Sequence, residues 1–371
     1  MLSQPGLYVH LPWCVKKCPY CDFNSHPLKA EHDLDQYVEA LGEDFASQSL
    51  DQAFATVFFG GGTPSLFQAH HFADILSRAS LSKDAEITME ANPGTTEHAN
   101  FDGYLNAGIN RLSIGAQSFH NPLLKALGRI HNASETHRAF RDARASGFEN
   151  INIDLMWGLP NQTVDQCLED LRTAIELDPE HISWYQLTLE PKTEFARRPP
   201  ILPVEDHLAA METQGLALLD SHGYGRYEVS AFSKTGRQCK HNLNYWRFGD
   251  YAGVGAGAHG KQSLAEEVVR TQKPHQPRLF QADPAKTILQ RVTEADLFFE
   301  FMLNALRLTD GVTTQTFKSA TRLPIDVLQP IWSSLVEQSL MREDRIATTP
   351  LGYRYLDTVV SSFLPASSDT Q

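Results

Sequence analysis

The stretch from His10 to Phe23 reads His-Leu-Pro-Trp-Cys-Val-Lys-Lys-Cys-Pro-Tyr-Cys-Asp-Phe, and it sets Cys14, Cys18 and Cys21 in one loop directly after a short apolar strand. That spacing lets a single loop wrap three thiolates around one corner of a metal cluster. A closed iron–sulfur or zinc site normally takes four protein ligands. Three thiolates on a four-iron cube leave one iron open to an exogenous ligand, which is the mark of a reactive centre rather than a structural one. A zinc ion is the alternative, and it needs a fourth ligand that His10 or His26 can supply from nearby in the chain. A disulfide framework fits poorly: there are five cysteines, an odd number, in 371 residues, and no basic segment followed by a long apolar one opens the chain. The expectation is a reducing, cytoplasmic protein in which Cys167 and Cys239 are ordinary thiols.

With 42% hydrophobic residues over 371, the chain can bury a large core, most simply one domain of barrel size plus a smaller one. No apolar run approaches the roughly 18 residues that span a bilayer. The formal charge of −13 argues against wide contact with a phosphate backbone, so nucleic acid is not expected as a partner. Peripheral membrane association stays open, because a net charge hides local patches.

Apolar, β-rich runs at 6–11, 54–59, 85–90, 110–115, 150–155 and 181–187 alternate with amphipathic stretches at 34–49, 66–79, 134–146 and 164–177. Such alternation predicts an α/β fold of parallel strands with helical crossovers, either a barrel or an open doubly wound sheet. In both, ligands gather at the carboxyl ends of the strands. The remaining motifs fall there. The second strand runs into Gly60-Gly61-Gly62-Thr63-Pro64-Ser65, the third into Glu90-Ala91-Asn92-Pro93-Gly94, and the fourth into Gly115-Ala116-Gln117-Ser118, while the fifth carries Asp154. Consecutive glycines let backbone groups approach a ligand, although the same cluster also serves as a plain turn before a helix. Glu90, Gln117 and Asp154 can accept hydrogen bonds from an amine or sugar hydroxyls, and Arg129 can grip a carboxylate in a fork.

Taken together, the cysteine triad, Gly-Gly-Gly-Thr-Pro, Glu-Ala-Asn-Pro-Gly and Gly-Ala-Gln-Ser-Phe resemble the radical S-adenosylmethionine (SAM) superfamily, from Tyr8 to the last helix. Within it the chain is similar to the branch holding the oxygen-independent coproporphyrinogen III oxidases and the heme chaperones. The resemblance implies a six-stranded partial (β/α) barrel whose Cys14, Cys18 and Cys21 ligate a [4Fe–4S] cluster, with the open iron chelated by the methionine end of SAM. It implies further that Tyr8 and Tyr20 lie near the cofactor. Gly61, Gly62 and Thr63 would meet the methionine amino group, and Glu90 would make another cofactor contact. Gln117 and Asp154 would hold the ribose, and Arg129 the methionine carboxylate. The implied chemistry is one electron passed into the sulfonium to yield a 5′-deoxyadenosyl radical, the protein supplying orientation and exclusion of water.

Two departures separate the chain from the oxidase side of that branch. The oxidase carries a further cysteine two residues past the third, where this chain has Phe23, and it has an N-terminal extension where this chain starts a few residues before its first strand. His241-Asn242-Leu243-Asn244-Tyr245-Trp246 resembles the His-Asn-x-x-Tyr-Trp pattern of the heme chaperones, which implies heme contacts from His241, Tyr245 and Trp246. A turn followed by two core aromatics is the plain structural reading. The glycine-rich run from Gly253 to Gly260 offers a second imidazole, His259, or packs beneath the cofactor.

Beyond about residue 286 the pattern turns mostly helical, with a tight hairpin at 340–347 and a frayed tail from Ser361. The expected division is a barrel core at 1–200, a barrel extension carrying the heme motif at 201–285, and a C-terminal winged-helix-like domain at 286–371 without a basic recognition face. Three functions follow: a heme chaperone that hands heme to acceptor proteins, among them respiratory ones, an oxidase of the porphyrin pathway, and a non-catalytic metal-binding regulator. The family suggests a cluster-dependent homodimer.

Overall fold

Six of the β-rich runs become parallel strands in chain order: β1 (Gly6–Leu11), β2 (Phe54–Gly61), β3 (Leu81–Ala91), β4 (Arg111–Gln117), β5 (Ile151–Trp157) and β6 (His181–Gln186). They come from a computed structural model that describes residues 4–48, 50, 52–94 and 101–365. The crossovers are α1 (Leu34–Ser47), α2 (Ala69–Ser77), α3 (Phe101–Asn106), α4 (Ala133–Ala145) and α5 (Val164–Glu176). Local chemistry marks where they begin. Asn132 and Glu135 close a reciprocal capping box at α4, and Thr163 and Gln166 do the same at α5, each satisfying orphan amides of the first turn.

Residue alternation assigns the two faces of the strands. Leu7, Val9 and Leu11 of β1, like Ile151, Ile153 and Leu155 of β5, are fully buried in the core against the helices. Their neighbours Tyr8, His10, Asn152 and Asp154 project to the inner side, so the concave face of the sheet is polar. Helix α6 (Glu205–Ser221) follows β6, and the antiparallel strands β7 (Gly225–Glu228) and β8 (Ala231–Ser233) extend that edge. After α7 (Lys240–Trp246), strand β9 (Tyr251–Val254) adds in parallel to the free side of β1. Strands β10 (His259–Ser263), β11 (Val268–Gln272) and β12 (Ile288–Arg291) continue it antiparallel. The order is β12-β11-β10-β9-β1-β2-β3-β4-β5-β6-β8-β7, one twelve-stranded curved sheet whose β1 and β6 do not pair with each other. The expected partial barrel is therefore open.

A second core joins α8 (Glu294–Ala305), α9 (Thr314–Thr321), α10 (Gln329–Glu337) and α11 (Leu356–Ser361) around Phe301, Phe317, Trp332 and Ile346. The hairpin forms, with Arg342 N–H donating to Ala347 O at 2.9 Å and Val312 pairing antiparallel with Ile346 beside it. Two details differ from expectation. Residues 288–291, read as the start of the helical part, form an edge strand; all four are exposed, so no burial pattern betrays them. The frayed tail begins later than Ser361, because Phe363 is 1% exposed and packs into the second core, while 366–371 lie outside the described residues. Among the described residues no helix is long and apolar enough to cross a membrane.

Candidate functional site

A cavity of about 540 Å³ opens at the carboxyl ends of the parallel strands. Its lining brings together Cys14, Cys18, Cys21, Tyr20, Gly61, Gly62, Thr63, Glu90, Gln117, Arg129 and Asp154. Of the expected SAM contacts only Tyr8 is missing from it, and the expected heme contacts His241, Tyr245 and Trp246 lie elsewhere. Tyr8 lies deeper on β1, stacked on Phe58 with ring centroids 6.3 Å apart and its hydroxyl 3.0 Å from His10 Nδ1.

The cysteine loop is pinned from both sides. Cys21 N–H donates to Cys18 O at 3.1 Å, while Lys17 Nζ donates to Phe23 O and Ser25 O, folding the loop over itself. Burial pushes the Cys14 and Cys21 thiols up from their ordinary value, the cost a cation at this spot would offset by drawing the thiolates out. No described group of three His, Cys, Asp or Glu ligand atoms falls within 4.8 Å apart from Asp35, His70 and His71, so the three thiols are spread more widely than one small ion gathers its ligands. That spread suits a cube in which each thiolate takes a separate iron. His10 is not free to complete a zinc site. Its Nε2 lies 2.8 Å from Asn24 O and its Nδ1 3.0 Å from the Tyr8 hydroxyl. His26 Nε2 in turn lies 3.1 Å from Asn24 Oδ1.

The glycine loop is needed for a reason the sequence did not disclose. A Cβ on Gly62 would stand 2.5 Å from the Trp13 carbonyl oxygen, because Gly62 N–H donates to Leu11 O and Thr63 N–H to Trp13 O as the loop passes under the cysteine loop. Gly61 sits at φ +115 with His10 where its Cβ would be. These glycines thus join two loops closely as well as exposing backbone to the cavity.

Carboxylates crowd the inner rim. Glu90 accepts from Gly61 N–H at 3.2 Å, yet burial, and then the charge of Asp154, pushes its carboxyl up to about 8. Asp154 is raised by burial too, opposed by hydrogen bonds from Asn152 Nδ2 at 2.7 Å and Ser113 Oγ at 3.0 Å. Gln117 occupies the left-handed region at φ 67, beside a register shift that turns it toward the rim, and accepts from the Tyr185 hydroxyl at 2.8 Å. Arg129 Nη2 donates to Asn92 Oδ1 and to Gly115 O at 2.8 Å, and Nη1 reaches Cys18 Sγ at 3.9 Å. Its buried Nε has no protein partner. A guanidinium left one donor short inside a cavity fits an incoming carboxylate.

Asn92, Ser113 and Tyr185 belong to this site and were not singled out from sequence. Asn92 links the glycine loop to the arginine, donating to Thr63 Oγ1 at 2.9 Å. Its place in the Glu-Ala-Asn-Pro-Gly motif was the available signal. Ser113 and Tyr185 are signalled only by falling on the inner face of β4 and β6.

The His241 motif lies at the opposite end, beside the amino ends of β1 and β2. His241 is 1% exposed and its ring is enclosed: Nδ1 is 2.8 Å from Thr56 Oγ1 and Nε2 3.0 Å from the Tyr245 hydroxyl. Burial, and then Arg111, lowers its pKa to about 3, so it is neutral. Glu86 Oε1 accepts from Lys240 N–H at 2.8 Å and His241 N–H at 3.3 Å, fixing the start of α7. Heme iron therefore cannot reach His241 without breaking two hydrogen bonds and opening the core. Tyr245 and Trp246 line a separate pocket of about 240 Å³. His259 is exposed, 6.3 Å from the His275 ring, and the glycine-rich run ahead of it packs under the cysteine loop, where Asn24 Nδ2 donates to Ala256 O at 2.9 Å.

Comparison with known proteins bears on this geometry. The radical SAM superfamily model matches residues 8–174. The heme chaperone HemW of Escherichia coli (strain K12) is 46% identical over 376 residues, covering 98% of this chain and 99% of the relative. HemW of Haemophilus influenzae is 44% identical over 98% of each chain, and HemW of Bacillus subtilis 34% identical over 96% of this chain and 98% of the relative. Among solved structures, the coproporphyrinogen III oxidase HemN of Escherichia coli superposes with a TM-score of 0.81 at 21% identity, covering 97% of this chain and 90% of that one. At that identity the likeness speaks for the fold.

Proposed function

The chain belongs to the HemW family within the radical SAM superfamily, and from that premise we propose that it is a heme chaperone, binding heme and passing it to acceptor proteins, respiratory ones included. The observation that carries the reading is similarity at 46% identity along 98% of the chain. Phe23, 59% exposed at the position of the oxidase's extra cysteine, supports it over porphyrinogen decarboxylation.

In this reading Cys14, Cys18 and Cys21 hold a [4Fe–4S] cluster and the rim residues hold SAM. The chemistry the cluster supplies when bound is one-electron reduction at an iron open to that ligand. The chain's own groups do the rest. Arg129 offers its unpaired Nε to a carboxylate, and Gln117 and Asp154 are placed to accept from ribose hydroxyls. Glu90, protonated over much of the neutral range, can donate a hydrogen bond as well as accept one, so the rim receives a cationic ligand without two adjacent anions having to coexist empty. The proposal includes a cytoplasmic protein that contacts the membrane peripherally where its acceptors sit, and a homodimer formed with the cluster.

The test loads the reconstituted protein with heme anaerobically, mixes it with an apo-acceptor, and follows the acceptor's heme spectrum. Transfer faster than from free heme is expected. Turnover of coproporphyrinogen III to protoporphyrinogen in a parallel anaerobic assay would replace the chaperone reading with the oxidase one.

A further inference from the structure

Beneath Asp154 the interior of the sheet carries a row of polar side chains. Ser113 of β4, Asn152 of β5 and His181 of β6 stand opposite one another on three adjacent strands, and Tyr227 of β7 lies beyond His181. Asn152 and His181 are each 1% exposed and Tyr227 6%, and none of these three lines the cavity above them. We propose that Asn152, His181 and Tyr227 are positioning residues, a one-way chain of hydrogen bonds that fixes the Asp154 carboxylate for the ribose of SAM. This role rests on the reading of Asp154 as a ribose ligand given above and adds how that ligand is held.

The contacts admit one consistent set of donors. Asn152 Nδ2 lies 2.7 Å from Asp154 Oδ1 and 2.7 Å from Ser113 Oγ. Turning that amide over would set its carbonyl oxygen against the carboxylate, so Nδ2 faces Asp154 and Oδ1 faces His181. Oδ1 then takes a proton from His181 Nδ1 at 2.6 Å, and a second from Ser183 Oγ at 3.1 Å. A neutral imidazole with its proton on Nδ1 leaves Nε2 as an acceptor, which the Tyr227 hydroxyl fills at 2.8 Å. The Tyr227 oxygen in turn accepts from Cys239 N–H at 3.2 Å. Cys239 directly precedes α7, so the chain runs from the start of the His241 motif to the rim.

At the rim the consequence is specific. Ser113 Oγ donates to Asp154 Oδ2 at 3.0 Å, so each carboxylate oxygen receives one donor from the protein and keeps capacity for another. Two ribose hydroxyls need two such oxygens. The Arg111 guanidinium, two residues before Ser113 and 2% exposed, favours the charged form of Asp154 and, after burial, disfavours a second proton on His181.

Equilibrium dialysis of labelled SAM against the full-length, cluster-reconstituted protein tests this in wild type, His181→Asn, His181→Leu and Asn152→Asp. Circular dichroism and cluster absorption check folding. Asparagine carries an amide N–H close to the place of Nδ1, so His181→Asn should bind SAM within about threefold of wild type, whereas His181→Leu should weaken binding by about tenfold or more. Both variants lose the Tyr227 bond and the packing of the ring, so a role in packing alone predicts equal losses. Equal losses, or a His181→Leu variant that binds like wild type, would overturn the positioning role. If His181→Leu does not fold, Asn152→Asp decides: it keeps the shape and the acceptor toward His181 but turns an acceptor toward Asp154, and should weaken binding by about tenfold or more. Wild-type affinity there would overturn the role as well. A wild type that binds no SAM, or Asp154→Ala binding it unimpaired, would instead overturn the reading of Asp154 and the rim, and the chain's role with it.

Discussion

The two ends of the open barrel hold equally polar motifs that differ in how far their polar groups are satisfied. At the carboxyl ends of the strands, Arg129 keeps a buried donor unpaired and Glu90 and Asp154 face each other across a cavity. At the amino ends, His241, Thr56, Tyr245 and Glu86 satisfy one another within the protein, and of the same motif only the buried Trp246 Nε1 is left without a partner among the described residues. Unmet polar capacity beside a cavity marks a place for a ligand; met capacity in a packed core marks a structural tie. The residue types alone, His-Asn-x-x-Tyr-Trp against Glu-Ala-Asn-Pro-Gly, do not distinguish the two.

Replacing any of Cys14, Cys18 or Cys21 by alanine should give the largest effect, complete loss of the cluster, read as loss of its visible absorption and of bound iron and sulfide. A variant that retained a full cluster would break the contrast at its ligand-binding end. Next, His241→Ala should destabilise the fold by about 2–4 kcal/mol, since it leaves a cavity and orphans Thr56 Oγ1. Urea denaturation measures it, and heme affinity should hold. A stable variant that has lost heme would make the amino end the ligand site.

Gly62→Ala should cost about 1–3 kcal/mol by pressing a methyl on the Trp13 carbonyl, and should also lower cluster occupancy as the cysteine loop is displaced. Thermal unfolding with iron analysis reads both. An unperturbed variant would show that the loops are not locked together.

The last effect is pH-dependent. Glu90 keeps its proton in the folded, cofactor-free protein to about pH 8, whereas unfolded it loses it near its ordinary value of 4.5. Between those values the folded state binds the extra proton, so stability falls as pH rises through the window and levels above it. His241 acts oppositely: its folded pKa of about 3 lies below the ordinary 6.5, so the stability it contributes is present above about 6.5 and is lost as pH falls toward 3. Denaturation profiles of Glu90→Gln should lack the first decline. A profile parallel to wild type across pH 5–8 would remove the carboxylate from this account.

The sheet was legible because Val, Ile and Phe runs alternate cleanly with capped amphipathic stretches; β1 and α5 lie within a residue of their expected bounds. The edge strand β12 was not, since Ile288, Leu289, Gln290 and Arg291 are all exposed and its identity comes from pairing with β11. At the rim, Glu90, Gln117 and Asp154 were readable because strand ends gather ligands. Arg111 was not, because an arginine in a strand ordinarily reads as surface, yet here it is 2% exposed inside the barrel.

The most direct test of the central claim is electron paramagnetic resonance of the anaerobically reconstituted and reduced protein, with and without SAM. An iron left open by three thiolates predicts a [4Fe–4S] signal that shifts when SAM is added. A signal indifferent to SAM, or metal analysis returning one zinc per chain, would contradict it.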